Sequence, residues 1–305
     1  MRALVTGGAG FIGSHLVDGL LDRGHAVTVV DHLDPAKAAT YESAEARGAR
    51  LVRADVTDVA RMLDAFAEAR PEVAFHLAAQ IDVRRSVDDP ATDAHVNIGG
   101  TAAVLEAARH AGTRRVLLAS SAGVYGDPAA LPVREDTPVV PLSPYGAGKA
   151  AAESYMDMFR RLHGLSTLSL RMSNVYGPRQ SPEGEAGVVA IFCAAAGEGR
   201  PVTVYGDGGQ TRDFLFVTDA VEAFILAAES ALEGVVNVSS GVETSVAALA
   251  AALGVGTVAG PPRLGEIRRS ILDPALAAGR LGWTARTPLR AGLERTLAAL
   301  APAVS

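Results

Sequence analysis

The sequence of 305 residues has little cysteine, few aromatic residues and no long apolar run. Its single cysteine, Cys193, excludes a disulfide bond within the chain and fits a reducing compartment. No segment approaches the roughly 20 consecutive apolar residues that a membrane-spanning helix needs, so we expect no membrane partner. Met1 is followed by only a short apolar run before the first glycines, unlike the start of a signal peptide, which favours a cytoplasmic location.

Positive charge is also scarce. A net charge of −6 leaves no basic surface of the kind that binds nucleic acid, so we expect no nucleic-acid partner. No metal site is predicted either. A hydrophobic content of 49% is ordinary for a globular protein, and the length allows a large core. No internal repeat and no low-complexity linker divides the chain.

Short apolar runs alternate with helical stretches up to Arg171, which is the pattern of parallel βαβ units. The predicted strands are Ala3–Thr6, Ala26–Val30, Arg50–Arg53, Val73–Leu77, Arg115–Ala119 and Thr167–Arg171. The predicted helices are Phe11–Leu21, Val59–Ala69, Ala91–Ala111 and Pro144–His163. Several strands are apolar throughout, as strands covered on both faces are. We therefore predict an α/β fold with a Rossmann-type, doubly wound parallel sheet.

Beyond Arg171 the alternation breaks, which predicts a smaller C-terminal α/β lobe that binds substrate. We place the Rossmann domain at residues 1–172 and most of the second lobe at 173–305. Residues 206–230 are expected to return to the first domain, because Thr211–Ala220 resembles a strand of the main sheet. Further elements predicted here are a helix at Val188–Gly197, strands at Val202–Tyr205, Phe214–Val217 and Val235–Val238, and helices starting near Thr218, Thr244 and Thr287.

Gly7, Gly10 and Gly13 stand in a G-x-x-G-x-x-G spacing between the first strand and the first helix. In that setting the first glycine permits a tight turn, the second lets the backbone approach a pyrophosphate, and the third lets the helix lie close to the strand. The N–H groups at the helix start, at Phe11 and Ile12, then face the phosphates. This context predicts a dinucleotide cofactor.

An acidic residue, Asp31, closes the second strand about 20 residues further on. A carboxylate there accepts hydrogen bonds from the ribose hydroxyls and repels a 2′-phosphate, which favours NAD over NADP. His32 and Lys37 follow closely, so some tolerance of NADP stays open. Asp55 and Val56, after the third strand, are placed to contact the adenine.

Tyr145 and Lys149 lie four residues apart at the start of a helix that Ser143 is placed to cap, so they share a helix face. A tyrosine base must lose its proton near neutral pH, which requires its pKa to fall from about 10 to near 7. A lysine ammonium, an oxidised nicotinamide and a helix N-terminus all act in that direction. Ser120 and Ser121 follow the fifth strand, where open α/β sheets place their ligands, and we favour Ser121 as the hydroxyl that shares the substrate proton.

Specific motifs extend along nearly the whole chain: TGGAGFIGSH (6–15), HLAAQ (76–80), SSAGVYG (120–126), YGAGK (145–149), NVYGPRQ (174–180) and YGDGGQTRDF (205–214). On these motifs the chain resembles the extended short-chain dehydrogenases/reductases, and within them the UDP-glucose (UDP-galactose) 4-epimerases. The resemblance implies that Ser121, Tyr145 and Lys149 are the catalytic residues. It implies further NAD contacts at Leu77, Ala78, Ala79 and Asn97, and substrate contacts at Asn174, Val188, Thr203, Tyr205, Arg212, Arg263 and Glu266.

In these substrate contacts, Arg212 and Arg263 would bind the diphosphate and Glu266 the uridine ribose. The uracil would be surrounded by Val188, Thr203 and Tyr205. The implied reaction is NAD-dependent epimerisation through a 4-keto sugar, with Tyr145 as acid and base and NAD regenerated in each cycle. The resemblance also implies a homodimer through the helices at Ala91–Ala111 and Pro144–His163.

A few residues near the predicted catalytic serine and after the P-R-Q sequence distinguish epimerases from related enzymes. Dehydratases of this group carry an Asp-Glu pair after the catalytic hydroxyl, whereas this chain has Ala122 and Gly123, which argues against dehydration. Enzymes acting on uronic acids commonly place an arginine after P-R-Q. This chain instead has Ser181 at that point, with Glu183 two residues further on. UDP-glucuronate stays open as a substrate because another arginine could bind its carboxylate, namely Arg84, Arg179 or Arg268.

Three further alternatives remain open. Gly99 and Gly123 allow a roomy pocket, so a UDP-N-acetylhexosamine is possible. The nucleotide could be thymidine rather than uridine. A net nucleotide-sugar 4-oxidoreductase would use the same residues and release reduced cofactor.

Overall fold

The computed structural model describes residues 1–32, 38–182, 187–262 and 267–300. The six strands predicted before residue 173 are all present, with ends that differ by no more than two residues. They are β1 (Arg2–Thr6), β2 (Ala26–Asp31), β3 (Arg50–Arg53), β4 (Val73–His76), β5 (Arg115–Ser121) and β6 (Ser166–Met172).

These strands and β10 (Gly234–Val238) form one parallel sheet in the order β10-β6-β5-β4-β1-β2-β3. The strand order reverses between β1 and β4, where the doubly wound fold places its ligand at the carboxyl ends of the strands. The predicted Rossmann-type fold is therefore confirmed.

Helices cover both faces of this sheet, as its apolar strands require. On one face, α1 (Phe11–Asp22), α9 (Val217–Glu229) and α11 (Ala275–Leu281) pack on the sheet. The other face is covered by α3 (Val59–Ala69), α6 (Gly100–His110) and α7 (Pro144–His163). Two short helices that the sequence did not predict, α2 (Ala38–Ala46) and α4 (Val83–Asp88), complete this domain.

The helix predicted over Ala91–Ala111 is present but is not α-helical throughout. It is divided into α5 (Pro90–Ala94), a π-helical turn at His95–Gly99 and α6. Asn97 in the wide turn donates to Asp93 Oδ1 and to the backbone oxygen of Gln80, both at 3.0 Å, so a loop from another part of the chain is bound at this turn. Such π-helical turns often occur at functional sites.

The second lobe contains two small sheets. One has the order β11 (Glu243–Ser245), β9 (Thr211–Phe216), β7 (Asn174–Tyr176), and the other pairs β8 (Val202–Tyr205) with β12 (Thr257–Gly260). Around them lie α8 (Val188–Gly197), α10 (Val246–Leu253) and α12 (Leu289–Leu300). Their shared core is rich in aromatic residues, namely Tyr176, Phe192, Phe214 and Phe216.

The expected return of Thr211–Ala220 to the main sheet is wrong. The strand β9 belongs to the small sheet, because it pairs with β7 on one side and with β11 on the other. The chain returns to the first domain one element later, through α9, which packs against α1, and then through β10, which pairs with β6. The limits 1–172 and 173–305 stay a prediction.

Candidate active site

The glycine turn lies between β1 and α1, as predicted. Gly7 adopts a positive φ of 69°, and a Cβ atom there would lie 2.6 Å from the backbone nitrogen of Ala78. A Cβ atom on Gly13 would collide with the backbone oxygen of Gly7. Gly10 is the N-cap residue of α1, and within the described residues no side chain caps this helix end and no acidic residue occupies its first turn. The N–H groups of this turn, including those of Phe11 and Ile12, therefore suit a pyrophosphate.

Asp31 ends β2 beside this turn. It is buried, and its Oδ2 accepts the N–H of Ala9 at 3.1 Å, which holds the carboxylate against the glycine turn. Asp55 follows β3, and Thr57 donates to its Oδ1 at 2.9 Å (N–H) and 2.7 Å (hydroxyl). These bonds lower the pKa of Asp55. Val56 is buried against Gly100. Contact between Asp55, Val56 and the adenine stays a prediction.

The loop after β4 runs beside the same turn. The N–H of Leu77 donates to the backbone oxygen of Thr6 at 3.1 Å, and that of Ala78 to Thr6 Oγ1 at 3.3 Å. Ala79 follows in this loop, and the N–H of Gln80 donates to Asn97 Oδ1 at 2.9 Å. The predicted cofactor residues of β1, β4 and the π-helical turn are thus brought together. Their donors and tight backbone fit the dinucleotide that the sequence predicts.

Tyr145, Ser121 and Lys149 meet at the ends of β5 and α7. Ser143 caps α7 by accepting the N–H of Gly146 at 3.1 Å, which places Tyr145 in the first turn. Lys149 Nζ lies 6.0 Å from the centre of the Tyr145 ring and donates to the backbone oxygen of Ala119 at 2.9 Å. Ser121 is hydrogen-bonded to Tyr145. The three residues predicted to react therefore form one cluster.

Without a bound cofactor the pKa of Tyr145 is raised rather than lowered, and the lowering expected with NAD present stays a prediction. Burial raises the pKa of Tyr145, the hydrogen bond with Ser121 lowers it, and the Asp93 carboxylate raises it further. Burial also lowers the pKa of Lys149 to about 8, against the opposing effect of Asp93 and Glu153. Desolvation is the largest of the effects on each of these two groups. A positively charged nicotinamide would act in the opposite direction.

The sequence reasoning missed a buried charged network behind this cluster. Glu153 Oε1 accepts the hydroxyl of Ser120 at 2.5 Å, and Arg171 binds the Glu153 carboxylate with Nε at 2.9 Å and a terminal nitrogen at 2.7 Å. Arg171 also donates to the hydroxyl of Tyr125 at 2.8 Å. Glu153 lies four residues beyond Lys149 on the same face of α7, and this spacing was the available signal.

The predicted substrate residues lie on the second lobe. Asn174 begins β7 and pairs with Phe214 of β9. Arg212 lies two residues before Phe214 in β9. A terminal nitrogen of Arg212 donates to the backbone oxygens of Thr211 at 2.7 Å and Ile267 at 2.9 Å. These bonds orient the guanidinium group.

A second group of predicted substrate residues lies around β8. Thr203 and Tyr205 share one face of this strand, where a Cβ atom on Gly260 would lie 2.8 Å from Thr203 and 3.0 Å from Tyr205. Val188 begins α8. Arg263 and Glu266 lie outside the described residues, as do Glu183 and Lys37.

Two broader findings concern the described part of the chain. It contains no helix long and apolar enough to cross a membrane. It also contains no group of three or more His, Cys, Asp or Glu side chains that could hold a metal ion.

Residues 3–239 match the NAD dependent epimerase/dehydratase family, and the chain belongs to this family. It is 50% identical over 307 residues to a UDP-glucose 4-epimerase of Mycolicibacterium smegmatis, with 97% of each chain covered. The UDP-glucose 4-epimerase of Thermotoga maritima, solved with UDP-glucose, is 41% identical with a TM-score of 0.94 and 98% of each chain covered. That of Thermus thermophilus, solved with NAD, is also 41% identical, with a TM-score of 0.91 and 100% of each chain covered. The predicted family and its NAD dependence are confirmed.

Proposed function

We propose that the protein is an NAD-dependent 4-epimerase that interconverts UDP-glucose and UDP-galactose. The observation that carries this proposal is the cluster of Ser121, Tyr145 and Lys149 at the carboxyl ends of the parallel strands, beside the glycine turn. Half of the residues are identical to those of a named UDP-glucose 4-epimerase over nearly the full length, which supports the choice of substrate.

In the proposed reaction, Tyr145 removes the proton of the sugar 4-hydroxyl and later returns it, with Ser121 sharing that proton. Lys149 stabilises the phenolate, because an ammonium group near the ring favours the charged form. Bound NAD supplies a reversible hydride acceptor. The residues proposed to hold it are Gly7, Gly10, Phe11, Ile12, Gly13, Asp31, Asp55, Val56, Leu77, Ala78, Ala79, Asn97, Tyr145 and Lys149.

The second lobe is proposed to anchor the nucleotide while the sugar turns over between the two hydride transfers. Arginine suits this role because its planar fork matches the oxygens of a diphosphate. The residues proposed for substrate binding are Ser121, Tyr145, Asn174, Val188, Thr203, Tyr205, Arg212, Arg263 and Glu266.

Two features argue against related chemistries. Ala122 and Gly123 form a 3₁₀ turn directly after Ser121, so no carboxylate stands where dehydration needs an acid. Arg179 is paired with Asp18 at 2.7 Å, and Arg268 with Asp207 at 2.6 Å. Two of the three arginines considered for a sugar carboxylate therefore already bind aspartates, which favours a neutral hexose.

A panel of nucleotide sugars tests the proposal. The purified protein is incubated separately with UDP-galactose, UDP-glucuronate, UDP-N-acetylglucosamine and dTDP-glucose, and the epimers are separated and quantified. We expect the fastest conversion with UDP-galactose and no stoichiometric growth of NADH absorbance. Growth of NADH in proportion to substrate would instead identify a net oxidoreductase, and faster conversion of another sugar would replace the substrate.

We also propose a homodimer in the cytoplasm. The helix α7 carries an apolar stripe with members three or four residues apart, which suits packing against another helix. Its members are Ala147, Ala151, Tyr155, Met158 and Leu162, of which Met158 is partly buried against the core beneath α7. Tyr155 and Leu162 are exposed in the single chain, by 37% and 69%. The free thiol of Cys193 fits the reducing conditions of the cytoplasm.

A further inference from the structure

A buried carboxylate in β9 joins four separate stretches of the chain. Asp213 is fully buried, and its Oδ1 accepts the hydroxyl of Ser173 at 3.3 Å and both the N–H and the hydroxyl of Ser240, at 2.9 and 2.7 Å. Its Oδ2 accepts the N–H groups of Gly241 at 3.2 Å and Leu272 at 3.4 Å. A single side chain thus satisfies donors that come from both lobes.

This carboxylate lies next to two residues of the second lobe that are proposed to contact the substrate. Ser173 immediately precedes Asn174, and Asp213 immediately follows Arg212. The strands that carry these residues are paired, with Asn174 opposite Phe214. Because neighbouring side chains on a strand point to opposite faces, Asp213 points away from the face that carries Arg212. On that opposite face it accepts the hydroxyl of Ser173, the residue before Asn174, and is itself the residue after Arg212.

The chemistry of the donors requires a carboxylate. Burial raises the pKa of Asp213, while the hydrogen bonds from Ser240, Leu272 and Gly241 lower it. An amide at this position has one acceptor oxygen, and its NH₂ group would face N–H donors. Replacement by asparagine would therefore disturb the contacts without changing the size of the side chain.

We propose that Asp213 is a positioning residue for the nucleotide-sugar diphosphate, setting the distance between Asn174 and Arg212; this inference rests on the proposed function. In this role Asp213 does not itself contact the substrate. It holds β9, the segment before β7 and the segment after β10 in the one arrangement that presents both side chains to the same ligand.

Asp219 offers a matched control. It is also a buried aspartate of the second half of the chain, and its Oδ2 accepts the N–H groups of Arg286 at 3.2 Å and Thr287 at 2.9 Å. It lies in the first turn of α9, and these hydrogen bonds go to the segment before α12 rather than to the segments next to Asn174 and Arg212. A residue that only stabilises the fold should behave like Asp219.

The test compares Asp213→Asn and Asp219→Asn with the unchanged protein. UDP affinity is measured by calorimetry, KM and kcat with UDP-galactose, and NAD content after release from the denatured protein. For Asp213→Asn we expect the Kd for UDP and the KM to rise about tenfold, with kcat and NAD content within about twofold, because misplaced binding groups weaken ground-state binding. For Asp219→Asn we expect both constants to stay within about twofold.

Unchanged UDP affinity in Asp213→Asn, or an equal loss in Asp219→Asn, would overturn the proposal. If Asp213→Asn does not fold, Ser240→Ala removes one donor to Oδ1 and should raise the Kd for UDP about threefold, and unchanged affinity there also counts against the proposal. Failure of the proposed function is distinguishable, because the unchanged protein would then bind UDP without epimerising UDP-galactose. Comparison of UDP affinities would still decide the role of Asp213.

Discussion

Tyr145 is half-buried, and its hydroxyl proton must move in the proposed reaction. Its burial raises the pKa of the phenol, so the neutral form is favoured until positive charge offsets the desolvation. The neighbours that can help are few. Ser121 is hydrogen-bonded to it, and Lys149 lies 6.0 Å from the ring centre. Proton transfer at this residue therefore depends on positive charge brought close to the ring.

Replacing Tyr145 by phenylalanine should remove the reaction and leave the site otherwise intact. We expect kcat to fall by about 10² to 10⁴-fold, the usual contribution of a positioned acid–base group, with NAD content unchanged. The measurement is turnover of UDP-galactose at saturation. Tyr155→Phe, on the exposed side of the same helix, is the control and should keep full activity. Undiminished turnover in Tyr145→Phe would exclude the assigned role.

His76 is a second buried titratable residue near the site. Its Nδ1 lies 2.8 Å from Thr6 Oγ1 and its Nε2 lies 3.1 Å from Thr101 Oγ1. The hydroxyl of Thr101 already donates to Asn97, so the Nε2 atom of a neutral ring is the donor to Thr101. Burial, assisted by the charge of Lys149, lowers the pKa of His76 to about 3.

This low pKa predicts sensitivity to acid. An unfolded histidine binds a proton below about pH 6.5, whereas the folded His76 does so only near pH 3, so between these values the unfolded state binds more protons. Stability should fall with decreasing pH across this window, by at most about 1.4 kcal/mol per pH unit from this residue. Urea unfolding at several pH values, compared with His76→Gln, measures that slope. Equal slopes would mean that His76 does not cause the acid sensitivity.

At the scale of elements, α7 carries both the reacting residues and the means of fixing them. Tyr145, Lys149 and Glu153 follow one another at four-residue steps along one face. Glu153 binds Ser120 of β5 and Arg171 of β6, and the side chains of Glu153 and Arg171 are only 7% and 5% exposed. The helix is therefore tied to the two strands beneath it by a desolvated ion pair.

Breaking one half of this pair should be more harmful than removing both halves. Glu153→Gln leaves Arg171 buried without its counter-charge, and we expect a loss of about 3–5 kcal/mol in the free energy of unfolding. The double variant Glu153→Leu with Arg171→Met should recover most of that loss, since apolar side chains of similar size need no counter-charge. Denaturant unfolding provides the comparison. Equal stability of the single variant and the unchanged protein would show that the pair contributes little.

Element prediction succeeded where the signals are local. The predicted bounds of α7 match the observed ones because both ends are set locally. Ser143 caps the helix, Pro144 suits its first position, and in the structure Gly164 ends it in the left-handed region. The π-helical turn within the predicted Ala91–Ala111 helix was missed, since it accompanies contacts with the Gln80 loop, far away in sequence. The Glu153–Arg171 pair was missed for the same reason.

At the scale of the whole molecule, the sequence does not say which strand completes the main sheet. The runs that became β9 and β10 are both short and apolar, and period and composition do not separate them. Which of the two strands joins the main sheet depends on β7 and β11, because these strands pair with β9 and place it in the small sheet. The residues of the proposed active site are thereby divided between the two sheets. The hydrogen bonds of Asp213 join β9 of the small sheet to segments that follow β6 and β10 of the main sheet.

The apolar stripe of α7 leads to a prediction about the oligomeric state. Packing of its stripe against a second copy would bury Tyr155 and Leu162, which the single chain leaves exposed. We expect sedimentation to give twice the 31.3 kDa mass of one chain, and Tyr155→Asp to shift the protein towards the monomer, because a carboxylate would be desolvated in the interface.

Val242→Asp places the same charge on an apolar residue, 61% exposed, of the second lobe, and should leave the dimer intact. NAD content should be retained in both variants, since the cofactor residues lie at the ends of the strands and not on the outer face of α7. A Tyr155→Asp protein that still sediments as a dimer would place the interface on another surface.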